Sequence, residues 1–291
     1  MVKIMSNNIK DVQKVVLQLL DKFIEVCDKY GLQWFADSGT LLGAIRKGKI
    51  IDWDDDVDVI MPRKDYNRFL QIAPLEFKAP YFFQSPFTDT CWNPICKLRY
   101  DNSTIFEKNK YTNNDRDFEY HKGIFIDIFV FDAVPEEDIF TSEEYFLRFI
   151  YNFSLAKNYG RKSFNHTIDY KAIFDFITKT FEDLEEKNKD SEYVANLFFN
   201  YQRKYMHFKF HRSVYSDYKE IDFEGLQHKL RIPIGWEEIL VLWYGDDWRI
   251  EKHINDSHGL GAAYHDAFHS YKEYDNLSDE EYANLFNSDK N

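Results

Sequence analysis

Five aspartates lie within the short stretch IIDWDDDVDVIMP, which begins at Ile50. Asp56 and Asp58 are two residues apart in an alternating pattern, so on a strand both carboxylates face the same side. Like charges that close repel each other, and apolar neighbours such as Val57 and Val59 draw them towards the interior, where an unpaired charge is costly. A divalent cation relieves both costs, and carboxylate oxygens suit Mg²⁺. The alternative is an acidic turn that water solvates at a strand end.

A further carboxylate lies in the second strongly apolar stretch, GIFIDIFVFDAV at residues 123–134. Asp127 is flanked there by two isoleucines, so it is either a buried aspartate satisfied by hydrogen bonds or a functional group. As a functional group it would join Asp56 and Asp58 in one metal site, or it would take the proton from an attacking hydroxyl.

Ser38, Gly39 and Thr40 precede the letters LLGAIR, which the sequence predicts to be a brief helix. The free N–H groups of a helix start bind phosphate well, and a glycine allows close approach. An ordinary turn and helix cap is the alternative. A helix start beside carboxylates on two strands is an arrangement typical of metal-dependent phosphoryl or nucleotidyl transfer.

The apolar periodicity predicts the elements that must position these groups. A helix covers residues 8–29 and ends at Gly31, and the long strand at 123–134 takes a central place in a sheet. The other predicted elements of this half are a strand at 33–37, a strand from Asp54 to Met61 that Pro62 stops, a helix in KDYNRFLQIA and meander strands within 80–108.

The second half of the chain has a different character. From Thr141, where Glu144 completes a capping box, to about residue 210 the patterns are helical and rich in Phe and Tyr. We therefore predict an α+β fold. A mixed sheet with flanking helices occupies residues 1–135, and a mainly helical, aromatic-rich half occupies residues 136–291.

Composition and charge narrow the classes of function. The chain has 291 residues, of which 44% are hydrophobic, and its net charge of −13 disfavours nucleic acid as a partner. Its three cysteines are an odd, sparse set that argues against a disulfide framework. We see no apolar run of a signal peptide and none near the ~18 residues of a membrane span. We expect a cytoplasmic protein and leave open contact with the inner face of a membrane.

The stretch DSGTLLGAIRKGKIIDWDDDVDVIMPRKDY closely resembles the signature of the LicD family, which includes the fukutin-like proteins and belongs to the nucleotidyltransferase-fold superfamily. KLRYDNSTIF at 97–106 resembles the basic strand of the family, and GIFIDIFVFDAVP resembles its second acidic strand. IPIGWEEILVLWYGDDW at 232–248 resembles its closing block. The resemblance spans roughly residues 10–250.

This resemblance implies a nucleotidyltransferase-like catalytic core in residues 1–135 and a substrate-binding or lid region in residues 136–291, packed on the core. Members of the family move a phosphorylated alcohol, such as phosphocholine or a polyol phosphate, from a CDP-activated donor to a glycan hydroxyl. The implied function is a Mg²⁺-dependent phosphotransferase, with Mn²⁺ as an alternative cation, that releases CMP. Its implied acceptor is a cell-surface glycan or a lipid-linked glycan.

Two alternatives stay open beside that function. One is a nucleotidyltransferase that uses the same carboxylates to move NMP to a small molecule or a protein and releases pyrophosphate. The other is a non-catalytic member of the family, against which the intact set of aspartates argues.

The resemblance also implies roles for single residues. Ser38, Gly39 and Thr40 match the phosphate-binding turn, although many members have Gly at the first position. The metal-binding DxD corresponds to Asp56 and Asp58, and the third carboxylate, which is also the predicted base, to Asp127. Three basic residues are predicted to offset charge on the donor or the leaving phosphate, with ordinary surface bases as the alternative: Arg46, Lys97 and Arg99. Asp52 replaces the usual Pro of the family.

Two histidines, His265 and His269, are four residues apart and would share one face of a helix. A zinc site needs further ligands at a defined spacing, which this region lacks, so the sequence disfavours zinc. After Asn276 we predict a short helix capped by Ser278.

Overall fold

Asp58 and Asp127 lie on neighbouring strands of a mixed sheet. The structure, a computed structural model, describes residues 8–91, 95–107, 118–136, 152, 154, 161, 169–197, 209–251 and 263–286. Its strands are β1 (Phe35–Ala36), β2 (Asp58–Pro62), β3 (Tyr81–Gln84), β4 (Cys96–Tyr100), β5 (Thr104–Glu107), β6 (Phe125–Val134), β7 (Tyr193–Ala195), β8 (Phe210–His211), β9 (Tyr218–Ile221), β10 (Leu230–Pro233) and β11 (Ala263–Asp266).

Helices flank this sheet, as the predicted α+β class requires. They are α1 (Ile9–Tyr30), α2 (Ser38–Lys47), α3 (Arg63–Glu76), α4 (Tyr170–Lys187), α5 (Trp236–Tyr244) and α6 (Asp279–Leu285), with 3₁₀ turns at Arg212–Tyr215 and Tyr271–Tyr274. No helix among the described residues has the length and apolar content to cross a membrane. The α+β prediction is confirmed.

The long helix α1 has capped ends and one buried apolar face, which explains the helical spacing of apolar residues in the sequence. The side chain of Asn8 accepts a hydrogen bond from the backbone N–H of Lys10 and caps the helix start. Gly31 ends the helix with a φ of 60°, in the left-handed region that favours glycine. The apolar face between these caps is buried, and it packs on β4 and β6.

The central position predicted for β6 is confirmed. The main sheet has the order β1-β2-β6-β4-β3, with β7 and β8 continuing from the far end of β6. β2 and β6 run parallel, and their register places Asp58 directly opposite Asp127. The other pairings along this order are antiparallel. The two predicted acidic strands are therefore immediate neighbours.

Two predicted features differ from the structure. The acidic strand does not begin at Asp54 but at Asp58, because residues 54–57 form a connecting segment held by hydrogen bonds to other parts of the chain. The second half contains the short strands β7 to β11 besides its helices. Strands of two to four residues are too short to show an alternation that periodicity can detect.

Some predictions lie wholly or partly outside the described residues. The capping box at Thr141 and Glu144 is one, and much of the predicted helical region up to residue 210 is another. Within that region the described helix is α4, which packs on β6. The division into two units near residue 135 stays a prediction. The sheet itself crosses that position, because β7 pairs with the end of β6.

A buried ion pair fixes α3 on the sheet. Nε of Arg63 donates to Oδ1 of Asp132 at 2.6 Å, and a second guanidinium nitrogen donates to Oδ2 at 2.9 Å. Both residues are buried, and Asp132 alternates with Asp127 so that it points to the opposite face of the sheet. This pair therefore belongs to the packing of α3 and lies away from the acidic site.

The C-terminal part forms a smaller aromatic cluster around β5. β11 pairs antiparallel with β5, which places His265 opposite Ile105. The cluster consists of Phe106, Tyr264, Tyr274, Tyr282 and Leu285. α6 begins after Ser278, whose side chain and Glu281 form a capping box, so the predicted capped helix is confirmed.

Candidate active site

The acidic segment is held against α1 by one buried glutamine. Nε2 of Gln13 donates to the backbone oxygens of Ile51 at 3.0 Å and Asp54 at 2.9 Å. The backbone N–H of Asp54 also donates to the oxygen of Ile51, which closes a tight turn. These bonds fix the backbone at the point where the run of aspartates begins.

The start of β2 is tied on both sides to the elements that bear the other predicted site residues. The backbone N–H of Asp58 donates to Oγ1 of Thr40 at 2.9 Å, and its carbonyl accepts from the N–H of Asp37 at 3.1 Å. On the other side, the N–H of Asp127 donates to the oxygen of Val57 at 2.9 Å. The helix start and both acidic strands thus form one rigid unit.

Three predicted metal ligands converge at this unit. One carboxylate oxygen each from Asp56, Asp58 and Asp127 can be chosen so that all lie within 4.8 Å of one another. The side chains are partly buried, and the backbone bonds above leave little freedom to separate them. A divalent cation with oxygen ligands fits between carboxylates at this spacing. The ligand roles themselves stay predictions.

The electrostatics show the cost of this convergence for the protein alone. Burial, followed by the charges of Asp54, Asp55 and Asp127, raises the pKa of Asp56 well above its usual range. Burial and then the charges of Asp56 and Asp127 raise the pKa of Asp58 in the same way. Groups that resist ionisation alone are stabilised as carboxylates when a cation is present. The donor set therefore fits a metal ion.

Lys97 is the basic residue that contacts this cluster. Its Nζ lies 2.5 Å from Oδ1 of Asp127 and 3.4 Å from the centre of the Phe125 ring. The two residues of the ion pair lie on neighbouring strands in direct register. Lys97 thus holds Asp127 and puts positive charge at the edge of the site, while its binding of substrate stays a prediction.

The first turn of α2 lies beside the acidic segment, as predicted. Ser38 has a φ of 47°, a left-handed conformation in which glycine has no strain and serine is uncommon. A Cβ on Gly39 would lie 2.7 Å from Oδ2 of Asp54. The glycine therefore allows that carboxylate to lie against the helix start, where the helix dipole favours negative charge. Thr40 uses its hydroxyl to hold β2.

The other predicted basic residues are engaged within the fold. Arg99 is buried and donates to Oε1 of Gln84 at 2.6 Å and to the oxygen of Gly123 at 2.7 Å. Arg46 donates to the backbone oxygens of Trp248 and Ile250 and so fixes the turn after α5. These contacts favour positioning roles, and substrate binding by either arginine stays a prediction.

Residues near the site include some that the sequence reading did not single out. Asp37, the residue before α2, is buried, and this burial raises its pKa to about 6. In the sequence, Asp37 is marked only by its position before a predicted helix, where an aspartate normally serves as a cap. Tyr244 ends α5 near the same carboxylates. Desolvation of its phenol, and then the charges of Asp58 and Asp37, raise its pKa, although 37% of the residue is exposed.

The C-terminal histidines are arranged differently from the prediction of a shared helix face. His265 lies in β11, where its Nε2 is 2.9 Å from Oδ2 of Asp55. His269 follows the strand, and its Nδ1 is hydrogen-bonded to Asp266 at 2.8 Å. The two imidazoles therefore have different partners. The short strand, which pairs with β5, replaces the helix that a four-residue spacing suggested.

The sequence that bears this site is similar to known proteins. Residues 31–159 match the model of the nucleotidyltransferase domain described as LicD/FKTN/FKRP. The lipopolysaccharide cholinephosphotransferase LicD of Haemophilus influenzae is 28% identical over 253 residues, which cover 82% of this chain and 90% of that protein. An uncharacterized protein of Rickettsia prowazekii is 31% identical over 146 residues, about half of each chain.

The matched domain contains the helix start, both acidic strands and the basic strand, which are the elements that bring the predicted residues together. The alignment with the Haemophilus protein extends well beyond that domain into the second half of the chain. The family resemblance read from the signature stretches is confirmed: residues 31–159 match the LicD/FKTN/FKRP domain, and the chain is similar to Haemophilus LicD over 82% of its length.

Proposed function

We propose that this protein transfers a phosphorylated alcohol from a CDP-activated donor to a hydroxyl group of a lipopolysaccharide or related glycan, with release of CMP. The observation that carries the proposal is the convergence of Asp56, Asp58 and Asp127 within 4.8 Å on adjoining elements of a LicD-family domain. The related Haemophilus protein is named a lipopolysaccharide cholinephosphotransferase, so phosphocholine is the first donor group to test.

In this proposal Asp56, Asp58 and Asp127 would hold Mg²⁺ or Mn²⁺. The cation would neutralise the phosphates of the donor and stabilise charge on the leaving CMP. The turn at Ser38 and Gly39 lies against Asp54, next to this set, and we propose that this helix start binds a phosphate of the donor.

The proposed transfer forms one phosphorus–oxygen bond and breaks another. The oxygen of the acceptor hydroxyl attacks the phosphorus that carries the alcohol, and the bond from that phosphorus to the bridging oxygen breaks. CMP leaves with the electron pair of that bond. The proton of the hydroxyl passes to a carboxylate of the cluster, for which we propose Asp127. Lys97, which forms an ion pair with Asp127, would position that carboxylate.

The test is a donor screen in which the purified protein, lipopolysaccharide acceptor and Mg²⁺ or Mn²⁺ are mixed with CDP-choline, CDP-ribitol or CDP-glycerol. We expect acceptor-dependent release of CMP from one of these donors and none from the Asp127→Asn protein. Release of pyrophosphate from a nucleoside triphosphate would support the alternative, a nucleotidyltransferase. Turnover that persists after removal of divalent cations with EDTA would contradict the metal role.

A further inference from the structure

A large cavity lies on the face of the sheet that bears the carboxylates of the transfer site. Its volume is about 690 Å³, it is open to solvent, and Pro62 and Phe131 line it. These two residues are partners in the sheet, four residues beyond Asp58 and Asp127 on the same two strands. Side chains at an even spacing on a strand point to one face, so the cavity and the carboxylates share a face about 13 Å apart.

The floor of this cavity is aromatic. The rings of Phe131 and Tyr215 stack with their centres 4.4 Å apart, and the ring of Phe35 lies 5.2 Å from that of Tyr215. Phe35 is opposite Ile60, which lies midway between Asp58 and the end of β2. Aromatic side chains therefore fill the face of the sheet between the cavity and the carboxylates.

The rim of the cavity is polar and held in place by the fold. It comes from residues 189–192 and 211–216, together with Gln33 just before β1. The pairing of β7 with β8 joins the first two segments, and the backbone N–H of Arg212 donates to the oxygen of Glu192 at 2.7 Å. The rim thus has its shape before any ligand binds, which lowers the entropic cost of binding.

The rim offers both donors and acceptors of hydrogen bonds. Among the residues that the structure describes, the side chains of Gln33 and Arg212 form no hydrogen bond or ion pair. The hydroxyls of Ser191 and Ser216 donate to backbone oxygens at 2.6 and 2.8 Å, which leaves their own oxygens available as acceptors. A sugar hydroxyl both donates and accepts, so these groups match a ligand that is rich in hydroxyls.

The charges of the rim balance each other. Lys189 and Arg212 are positive, whereas Asp190 and Glu192 are negative. Two carboxylates at the rim would repel the pyrophosphate of a CDP-activated donor, for which the transfer site offers a cation instead. A neutral ligand meets no such repulsion. The rim therefore favours a carbohydrate over the donor nucleotide.

We propose that this cavity binds sugar units of the glycan acceptor, beside the hydroxyl that receives the phosphorylated alcohol. The identity of the ligand as an acceptor rests on the proposed function. The aromatic floor packs against the C–H faces of a sugar ring, and the rim meets its hydroxyls. The volume lies in the range of about 300–1,000 Å³ that ligand sites occupy. The separation of about 13 Å from the carboxylates selects an acceptor longer than one sugar unit.

The test measures binding of the full chain to an array of oligosaccharides released from bacterial lipopolysaccharides, without donor or metal, followed by calorimetry on those that bind. Ser216→Trp places a large ring in the cavity from its exposed rim, so binding should be lost. Arg212→Ala and Gln33→Ala should each weaken binding about fivefold, as expected for one lost hydrogen bond. Gln18→Ala is the matched control, because Gln18 contacts Tyr81 outside the cavity, and its affinity should not change.

A second measurement covers variants that fail to fold. In the unchanged protein, the side-chain N–H resonances of Gln33 and Arg212 should shift when a bound oligosaccharide is added. Absence of binding to every oligosaccharide, unchanged affinity in a folded Ser216→Trp protein, or no shift at these groups would overturn the proposal. Weaker binding of CMP in the cavity variants, with glycan affinity kept, would assign the cavity to the donor and overturn it as well.

Kinetics separate this site from the transfer reaction. Where the unchanged protein releases CMP, Arg212→Ala and Gln33→Ala should raise the KM for the acceptor and leave the KM for the donor unchanged. An unchanged acceptor KM would reject the glycan site and keep the transfer function. Glycan binding that depends on the cavity, with no CMP released from any donor, would reject the proposed function and keep the cavity as a carbohydrate site.

Discussion

Replacing Asp58 with asparagine removes one charge from the acidic cluster while nearly preserving the shape of the side chain. In the protein alone that charge is unfavourable, because carboxylate oxygens of Asp56 and Asp127 lie within 4.8 Å. Two unit charges at this separation repel by about 3.5 kcal/mol at an effective dielectric constant of about 20. Part of this cost is already avoided by protonation, so we expect the substitution to raise the free energy of unfolding by about 2 kcal/mol without metal.

The effect has a defined dependence on pH. The pKa of Asp58 is raised in the folded chain, so at low pH both states bind the proton, and at higher pH the unfolded chain releases it more readily. The metal-free protein should therefore lose stability as pH rises from the ordinary pKa of 3.8 through the raised one. Asp58→Asn should remove this contribution to the loss.

A divalent cation should make the unchanged protein more stable than Asp58→Asn, the reverse of the order expected without metal. At a concentration a hundred times its dissociation constant, a bound ion stabilises a folded protein by about 2.7 kcal/mol. The unchanged protein should gain this stabilisation in Mn²⁺, and Asp58→Asn should lose most of it together with turnover. Urea unfolding in EDTA and in Mn²⁺ measures both effects, and the ranking of the two proteins should reverse between the two buffers.

The matched control is Asp52→Asn in the same acidic stretch. Asp52 pairs with Lys49 at 2.7 Å and Lys10 at 3.3 Å, which lowers its pKa through hydrogen bonds, so its removal should not stabilise the protein. It should also leave the response to Mn²⁺ unchanged. The reasoning fails if Asp58→Asn unfolds more easily than the unchanged protein in EDTA, or if it keeps the full stabilisation by Mn²⁺.

Three further predictions concern other parts of the structure. Arg63→Met should leave Asp132 as a buried unpaired charge and lower the free energy of unfolding by about 3–5 kcal/mol in urea, whereas Arg68→Met, at an exposed pair, should change it by less than about 1 kcal/mol. Burial and then a nearby arginine lower the pKa of His121 to about 4, so its contribution to stability is present above pH 6.5 and is lost as pH falls towards 4. Between pH 7 and pH 5 this loss should be about 2 kcal/mol, and His121→Asn should flatten the urea midpoint over that range. Gly39→Ala would place a methyl group 2.7 Å from a carboxylate oxygen, so CMP release should fall at least about tenfold while the far-ultraviolet circular dichroism stays unchanged.

The sequence could predict the strongest elements and the convergence of the acidic residues. Two apolar strand patterns, each with an aspartate, are long enough to be assigned, and their parallel pairing puts Asp58 opposite Asp127. Alternation also suggested that Asp54 and Asp56 belong to the strand. The structure places them before it, because backbone hydrogen bonds to Gln13 and Thr40 decide where pairing begins, and periodicity carries no information about such partners.

Contacts between distant segments could not be predicted from local pattern. The spacing of His265 and His269 favoured a helix, yet pairing with β5 makes that segment a strand and turns one imidazole towards Asp55. The sequence makes Arg99 a candidate for binding phosphate. Its burial beside Gln84 is a result of the fold, which the local sequence does not show. A local pattern shows which groups are available, while tertiary packing decides which of them meet.

The pairing of β5 with β11 has a consequence for how the protein is made. Oγ1 of Thr104 donates to the oxygen of His269, a residue 165 positions later in the chain. During translation the central sheet emerges early, whereas the edge of β5 stays unpaired until residue 266 has left the ribosome. Polypeptides truncated before that point would keep the acidic strands and lack the imidazole beside them. Synthesis therefore completes the β5–β11 pairing, and the contact of His265 with Asp55, after the carboxylate-bearing strands have formed.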